Sequence, residues 1–247
     1  MKSKLVQKII NIFTGKKDNN EKYAKLSFSQ DGEDIVLSSY ILNDKPYDYK
    51  GFYIDIGALH PERFSNTKIF YQKGWRGINI DGTPESMLPF KKQRPDDINI
   101  EAVMSDNTEE ILYYTFMEPA LNSFNKELVK KYLATGYKLK ETIKICPQRI
   151  NHILDKYMPP AQKIDFITID TEGADEKIIK DIDYDKYSPD YFIIEECEFI
   201  NSDFAEYKDK SSIYQFLSDK NYIVVAKTMR SIIYKKVTDK NNLNDCK

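Results

Sequence analysis

Two stretches decide the fold: Gly51-Phe-Tyr-Ile-Asp-Ile-Gly-Ala-Leu-His60-Pro61, and Gly74-Trp75-Arg76-Gly77-Ile-Asn-Ile-Asp81. Each holds an apolar run that ends in a small polar cluster, Asp55 and Gly57 in the first and Asp81 in the second. Two buried parallel strands joined by a crossover bring those ends side by side on one edge of a sheet. In open α/β sheets ligands bind just outside the carboxyl ends of the strands. A glycine there lets the backbone approach a ligand, and an acid ending the second strand can take both hydroxyls of a ribose. The pair of stretches therefore points to a cofactor that carries a nucleoside.

Outward from this pair the chain alternates strand and helix. Strands are predicted at 52–56, 77–80, 98–103, 111–116, 142–146, 164–170 and 191–195, with a final pair at 222–227 and 231–237. Only Thr228-Met229-Arg230 separates that pair, short enough for an antiparallel hairpin. Ser29-Gln30-Asp31-Gly32-Glu33-Asp34 reads as a capped helix start before the apolar positions Ile35, Val36, Leu37, Tyr40 and Ile41. Further helices are predicted at 124–134, 148–157, 175–182 and 211–219. Such alternation implies a mostly parallel sheet with helices on both faces.

The 247 residues suit one α/β domain, expected over 27–247. Residues 2–13 form a short basic amphipathic segment and 14–22 a polar linker, so 1–26 stands apart. That segment has no secretory h-region or cleavage site, and it is read as packing on the domain or on a partner subunit, giving a homo-oligomer, rather than on a membrane. A formal net charge of −2 supplies no broad field for nucleic acid or for an anionic membrane. The three cysteines, Cys146, Cys197 and Cys246, have neither metal spacing nor an even count, which points to a cytoplasmic protein without disulfides. No run of about 18 apolar residues is present to span a membrane.

Gly57 stands alone until Gly74, so the Gly-x-Gly-x-x-Gly cradle for a pyrophosphate is missing, and so is a P-loop. A ligand with a ribose but no pyrophosphate remains, and S-adenosylmethionine fits that description. Gln30-x-Gly32-Glu33-Asp34, Asp55-Ile-Gly57-Ala58, His60-Pro61, Ser65-Asn66-Thr67, Gly74-Trp75-Arg76-Gly77 and Asp170-x-Glu172-Gly173 together resemble the FkbM-type methyltransferases over roughly residues 27–200. The resemblance implies a class I methyltransferase fold, a Rossmann-like sheet of seven strands with the last antiparallel. It further implies that Asp55, Gly57 and Ala58 line the methionine end of the cofactor and Asp81 holds the ribose. Glu101 and Ala102 would lie near the adenine, and Gln30 and Glu33 at the amino-acid end. Ser65, Asn66, Thr67 and Asp170 join the cofactor set. Where such enzymes often carry a second glycine in the first loop, this chain has Leu59 or His60.

Asp170 and Glu172 follow one apolar strand, and Glu195-Glu196 ends the next. Carboxylates converging at one edge repel unless something positive sits among them. By similarity to sugar O-methyltransferases, Asp170 with Glu195 or Glu196 would hold magnesium or manganese, and Glu172 would be the catalytic base. The plainer alternative leaves Asp170 a cofactor contact and Glu172 a helix cap. His60 is the other candidate base, set against a role as a cofactor-loop residue. Ala120-Leu-Asn-Ser-Phe124 reads as a substrate loop or, more simply, as a helix cap at Asn122 or Ser123. Trp75 is expected to pack beneath the second strand, and the lysine-rich 126–144 region to be a solvated face that could attract phosphates. The expected activity is methyl transfer to a carbohydrate hydroxyl of a nucleotide-activated or surface-polysaccharide sugar. Set against it are a metal-dependent glycosyltransferase and a non-catalytic cofactor-binding scaffold that docks through residues 1–25.

Overall fold

A computed structural model describes residues 24–237, so the 2–13 segment and Cys246 lie outside the described residues. The strands are β1 (Phe52–Ile56), β2 (Arg76–Asp81), β3 (Ile98–Glu101), β4 (Ile111–Phe116), β5 (Leu139–Ile145), β6 (Phe166–Ile169), β7 (Tyr191–Glu195), β8 (Tyr222–Lys227) and β9 (Ser231–Lys236). The helices are α1 (Glu33–Asp44), α2 (Lys68–Gln72), α3 (Met87–Gln93), α4 (Lys126–Ala134), α5 (Ile150–Tyr157), α6 (Asp175–Asp181), α7 (Phe204–Lys210) and α8 (Ser212–Asp219). Seven strands form one sheet in the order β3-β2-β1-β6-β7-β9-β8. All run parallel except β9, which pairs antiparallel with both β7 and β8. This is the class I methyltransferase arrangement expected from the sequence, with the last strand reversed. No helix of the described residues is long and apolar enough to cross a membrane.

Strand alternation sorts side chains between the two faces. Ile54, Ile56, Ile78, Ile80, Ile167 and Ile169 meet α5, α6 and α8 on one face. Tyr53, Phe166, Ile193 and Ile233 meet Leu37, Ile41, Ile69 and Phe70 of α1 and α2 on the other. Trp75 belongs to this second cluster, 5.0 Å from Phe70 between ring centroids, so it packs as expected.

The register also builds a polar row across the sheet. Asn99, Asn79, Asp55 and Thr168 stand opposite one another on β3, β2, β1 and β6. Buried polar groups need partners, and the α2–α3 side supplies them. Thr67 Oγ1 donates to Asp55 at 2.7 Å, Asn66 Nδ2 to Thr168 Oγ1 at 2.9 Å, and Asn79 Nδ2 to Asp97 at 3.0 Å. Arg94, with no exposed surface, donates to Thr67 Oγ1, to Ser65 Oγ and to the carbonyl of Pro61. The Ser65-Asn66-Thr67 motif therefore ties the loop after β1 to the sheet.

Between β3 and α5 the chain leaves the main sheet. β4 and β5 pair antiparallel as a separate two-stranded sheet, with α4 between them in sequence. Asn125 caps α4, accepting from the amides of Glu127 and Leu128. Asn122 and Ser123 have other partners, described next.

Candidate active site

The carboxyl ends of β1, β2, β6 and β7 open into a cleft of about 770 Å³, roofed by the β4–α4–β5 insertion. Gly57, Asp81, Ala102, Asp170, Glu172, Glu195 and Gln30 line it. Gly57 has φ +85°, and a Cβ built there would fall 1.6 Å from the Asp170 carbonyl oxygen. The glycine is demanded by the close passage of the β6 end, where Asp170 N also donates to Ile56 O at 2.9 Å.

Asp81 is fixed by the backbone. Its two carboxylate oxygens accept from Leu59 N at 2.9 Å and Thr83 N at 2.8 Å. Each oxygen keeps a further acceptor site, so the group can still bind paired hydroxyls. Next to it, Ala102, Val103, Met104 and Tyr113 supply an apolar strip suited to a flat base. An acid at the β2 end beside an apolar strip and a glycine turn fits the adenosyl half of S-adenosylmethionine.

Acids dominate the far side. Asp170, Glu172 and Glu195 can place one carboxylate oxygen each within 4.8 Å of one another. Burial, and then the neighbouring Glu195 and Glu172, hold Asp170 well above the usual carboxylate range. Burial followed by Glu195 pushes Glu172 up to about 7, against the hydrogen bond it receives from Tyr132. Glu195 is also raised, by burial and then Asp175. Such a trio is stable in two ways, by retaining a proton or by holding a hard cation among its oxygens.

Glu172 is held from both ends. It sits at φ +52°, its carbonyl accepts from Ser123 Oγ at 2.7 Å, and its carboxylate accepts from the Tyr132 hydroxyl. Asn122 joins the insertion to the β2 end, donating to Thr83 Oγ1 at 2.9 Å and accepting from Phe116 N at 2.7 Å. Pro119, Leu121, Asn122 and Phe124 all line the cleft, so the 120–124 loop is a wall of the site and the helix cap falls at Asn125.

Several expected site residues stand elsewhere. Asp55, Ser65, Asn66 and Thr67 belong to the polar row behind the cleft, because Asp55 points to the α2–α3 face. Glu33 is buried, accepting from Thr228 Oγ1 and from Asp31 N, and Glu101 accepts from Glu85 N at the surface. Ala58 packs with Met87 and Phe90. His60 does not line the cleft, and its Nδ1 accepts from the amides of Glu62 and Arg63, folding its own turn. Burial lowers its pKa, which suits that neutral acceptor role. Glu196 reaches the cleft wall, but its carboxylate is taken by Tyr207, Tyr234 and Ser211 hydroxyls. Glu172, not Glu196, joins Asp170 and Glu195. His152 is exposed on α5.

Tyr132, Thr83, Tyr113 and Arg230 also line the cleft, unmarked by any sequence motif. Arg230 lines the cleft while donating to both Asp31 oxygens at 2.8 Å. Nothing local marks these residues; only the folding of the insertion and the β8–β9 turn against the sheet edge brings them in.

The model of the methyltransferase FkbM domain family matches residues 55–224. No curated protein matches the chain. Among solved structures, precorrin-6y C5,15-methyltransferase from Geobacter metallireducens GS-15 is similar at a TM-score of 0.38 and 13% identity, over 90% of this chain and 98% of that one. At that distance no residue role follows from the likeness.

Proposed function

The chain belongs to the FkbM methyltransferase family and is by that membership an S-adenosylmethionine-dependent methyltransferase; from this premise we propose that it methylates a hydroxyl oxygen of a carbohydrate. The observation that carries the proposal is Glu172, a cleft carboxylate raised to about 7 and locked in place by Tyr132 and Ser123. An alcohol is a poor nucleophile until its proton is drawn away, and a base near neutrality contributes roughly 10²–10⁴-fold.

S-adenosylmethionine supplies the electrophilic methyl group. Asp81 would hold the ribose hydroxyls, Ala102, Val103 and Met104 the base, and Gln30 and Arg230 the amino-acid end, since all of them line the cleft. Phe124 and Tyr132 form the acceptor wall, where aromatic faces suit a sugar ring. Glu172 accepts the hydroxyl proton as the acceptor oxygen attacks. A divalent cation, where bound, would be held by Asp170 and Glu195, leaving Glu172 free as base, and would acidify the acceptor hydroxyl.

Between a nucleotide-activated sugar and a polysaccharide, the acidic floor favours the acceptor without a diphosphate near it. The protein then works in the cytoplasm on a growing or finished glycan. The family match leaves the glycosyltransferase reading without an observation to carry it, and the scaffold reading rests on residues almost all outside the described ones. Replacing Glu172→Gln is the test. Turnover against glycan acceptors, followed by mass spectrometry for one added CH₂ group, should vanish. Calorimetry should show S-adenosylhomocysteine binding unchanged. Turnover surviving in this variant removes Glu172 as the base.

A further inference from the structure

The turn between α4 and β5 carries exposed side chains that the transfer reaction does not use. Residues 128–140 hold four lysines, Lys130, Lys131, Lys138 and Lys140, and no acid, in a chain with a formal net charge of −2. Lys130 pairs with Glu127, whereas Lys131, Lys138 and Lys140 make no ion pair among the described residues. Interleaved with them are Leu133, Tyr137 and Leu139, exposed to 47%, 47% and 38%. Met117 is 69% exposed, and its amide donates to the Lys138 carbonyl at 3.0 Å, which seats it beside the same turn.

The backbone explains how these meet. Gly136 takes φ +92° and ends α4, with Gly136 N donating to Leu133 O and Tyr137 N to Tyr132 O, both at 3.1 Å. This helix stop folds Tyr137 back over the last turn of α4. The inner side is filled: Val129 is buried, and Tyr132 meets Phe116 edge-on at 5.8 Å. The outer side keeps its apolar groups in water. Lys131, Tyr132 and Tyr137 also line the cleft, so the turn stands at its mouth.

We propose that this turn docks the enzyme on a bilayer containing anionic lipid, with Met117, Leu133, Tyr137 and Leu139 entering the interface and the lysines meeting the headgroups. Four partly exposed side chains are too few for a stable protein partner, which takes roughly 800 Å² from each side. A lipid interface accepts a tip of this size, and tyrosine with flanking lysine is the composition that sits there. The lysines act within a Debye length, so the attraction is salt-sensitive. Docking itself does not depend on the proposed reaction. Its consequence, that the acceptor is a glycan carried on a lipid and presented to the cleft mouth, does rest on that reading.

Sedimentation of the full chain with vesicles tests the proposal. Binding to phosphatidylcholine vesicles containing phosphatidylglycerol should be strong, to phosphatidylcholine alone weak, and raised salt should release the protein. Lys138→Glu with Lys140→Glu should weaken binding at least about tenfold, since each lysine near the surface contributes separately. Met117→Gln with Leu133→Gln should weaken it as well. Both double variants should bind S-adenosylhomocysteine as the parent does, which checks their fold. Three results overturn the proposal: no preference for anionic vesicles, vesicle binding that both variants leave intact, or variants that change self-association instead. Vesicle binding without any S-adenosylhomocysteine binding would leave the docking tip standing and remove the transferase reading.

Discussion

Alanine at position 57 would meet the Asp170 carbonyl at 1.6 Å while holding φ at +85°. A left-handed Cβ and an overpacked contact with backbone add up to about 3 kcal/mol or more. Gly57→Ala should therefore unfold at markedly lower denaturant, as read by circular dichroism, and lose S-adenosylhomocysteine binding. Asp55 gives a second residue-scale test. Burial raises its pKa from 3.8 to about 6, against the Thr67 hydrogen bond and the Arg94 charge. Between those values the folded state holds more protons than the unfolded one, so stability falls as pH rises through the window, by up to about 3 kcal/mol. Urea titrations at a series of pH values should show this fall, and Asp55→Asn should flatten it. Glu172 acts in the same direction over a window that reaches about 7. Asp55 also shows where residue-level reading stopped. The acid at a strand end was visible in the sequence, but which face it takes was decided by the row it shares with Asn79, Asn99 and Thr168. Asp81, one strand over, sits at the last strand position and turns into the cleft instead.

Elements were legible where their pattern was long. The isoleucine-rich strands and the short Thr228–Arg230 link declared themselves, and β1, β4, β7 and β8 have the expected bounds. The sequence pattern does not mark the helices α2, α3 and α7. They have five, seven and seven residues, too short for a 3.6-residue period to register. The sequence predicts β4 and β5 as strands, yet nothing in them announces a separate sheet over the site. That insertion is held to the main sheet by Asn122 on Thr83 and by Ser123 and Tyr132 on Glu172. Losing a buried hydrogen-bonding group costs about 1–3 kcal/mol, here felt locally. Asn122→Ala should speed amide exchange in β4 and β5 while β1 and β6 stay protected. The acceptor KM should rise, with S-adenosylhomocysteine affinity nearly unchanged.

On the scale of the whole molecule, β9 lies between β7 and β8, and Ile232, Ile233 and Tyr234 are almost wholly buried there. The last strand of the described residues is thus an interior plank of the sheet. During synthesis β7 and β8 stay unjoined until residue 236 has left the ribosome, so the nascent sheet keeps an open seam up to that point. A chain stopped before Ser231 should show no cooperative thermal transition by calorimetry, although every residue that lines the cleft has by then been made.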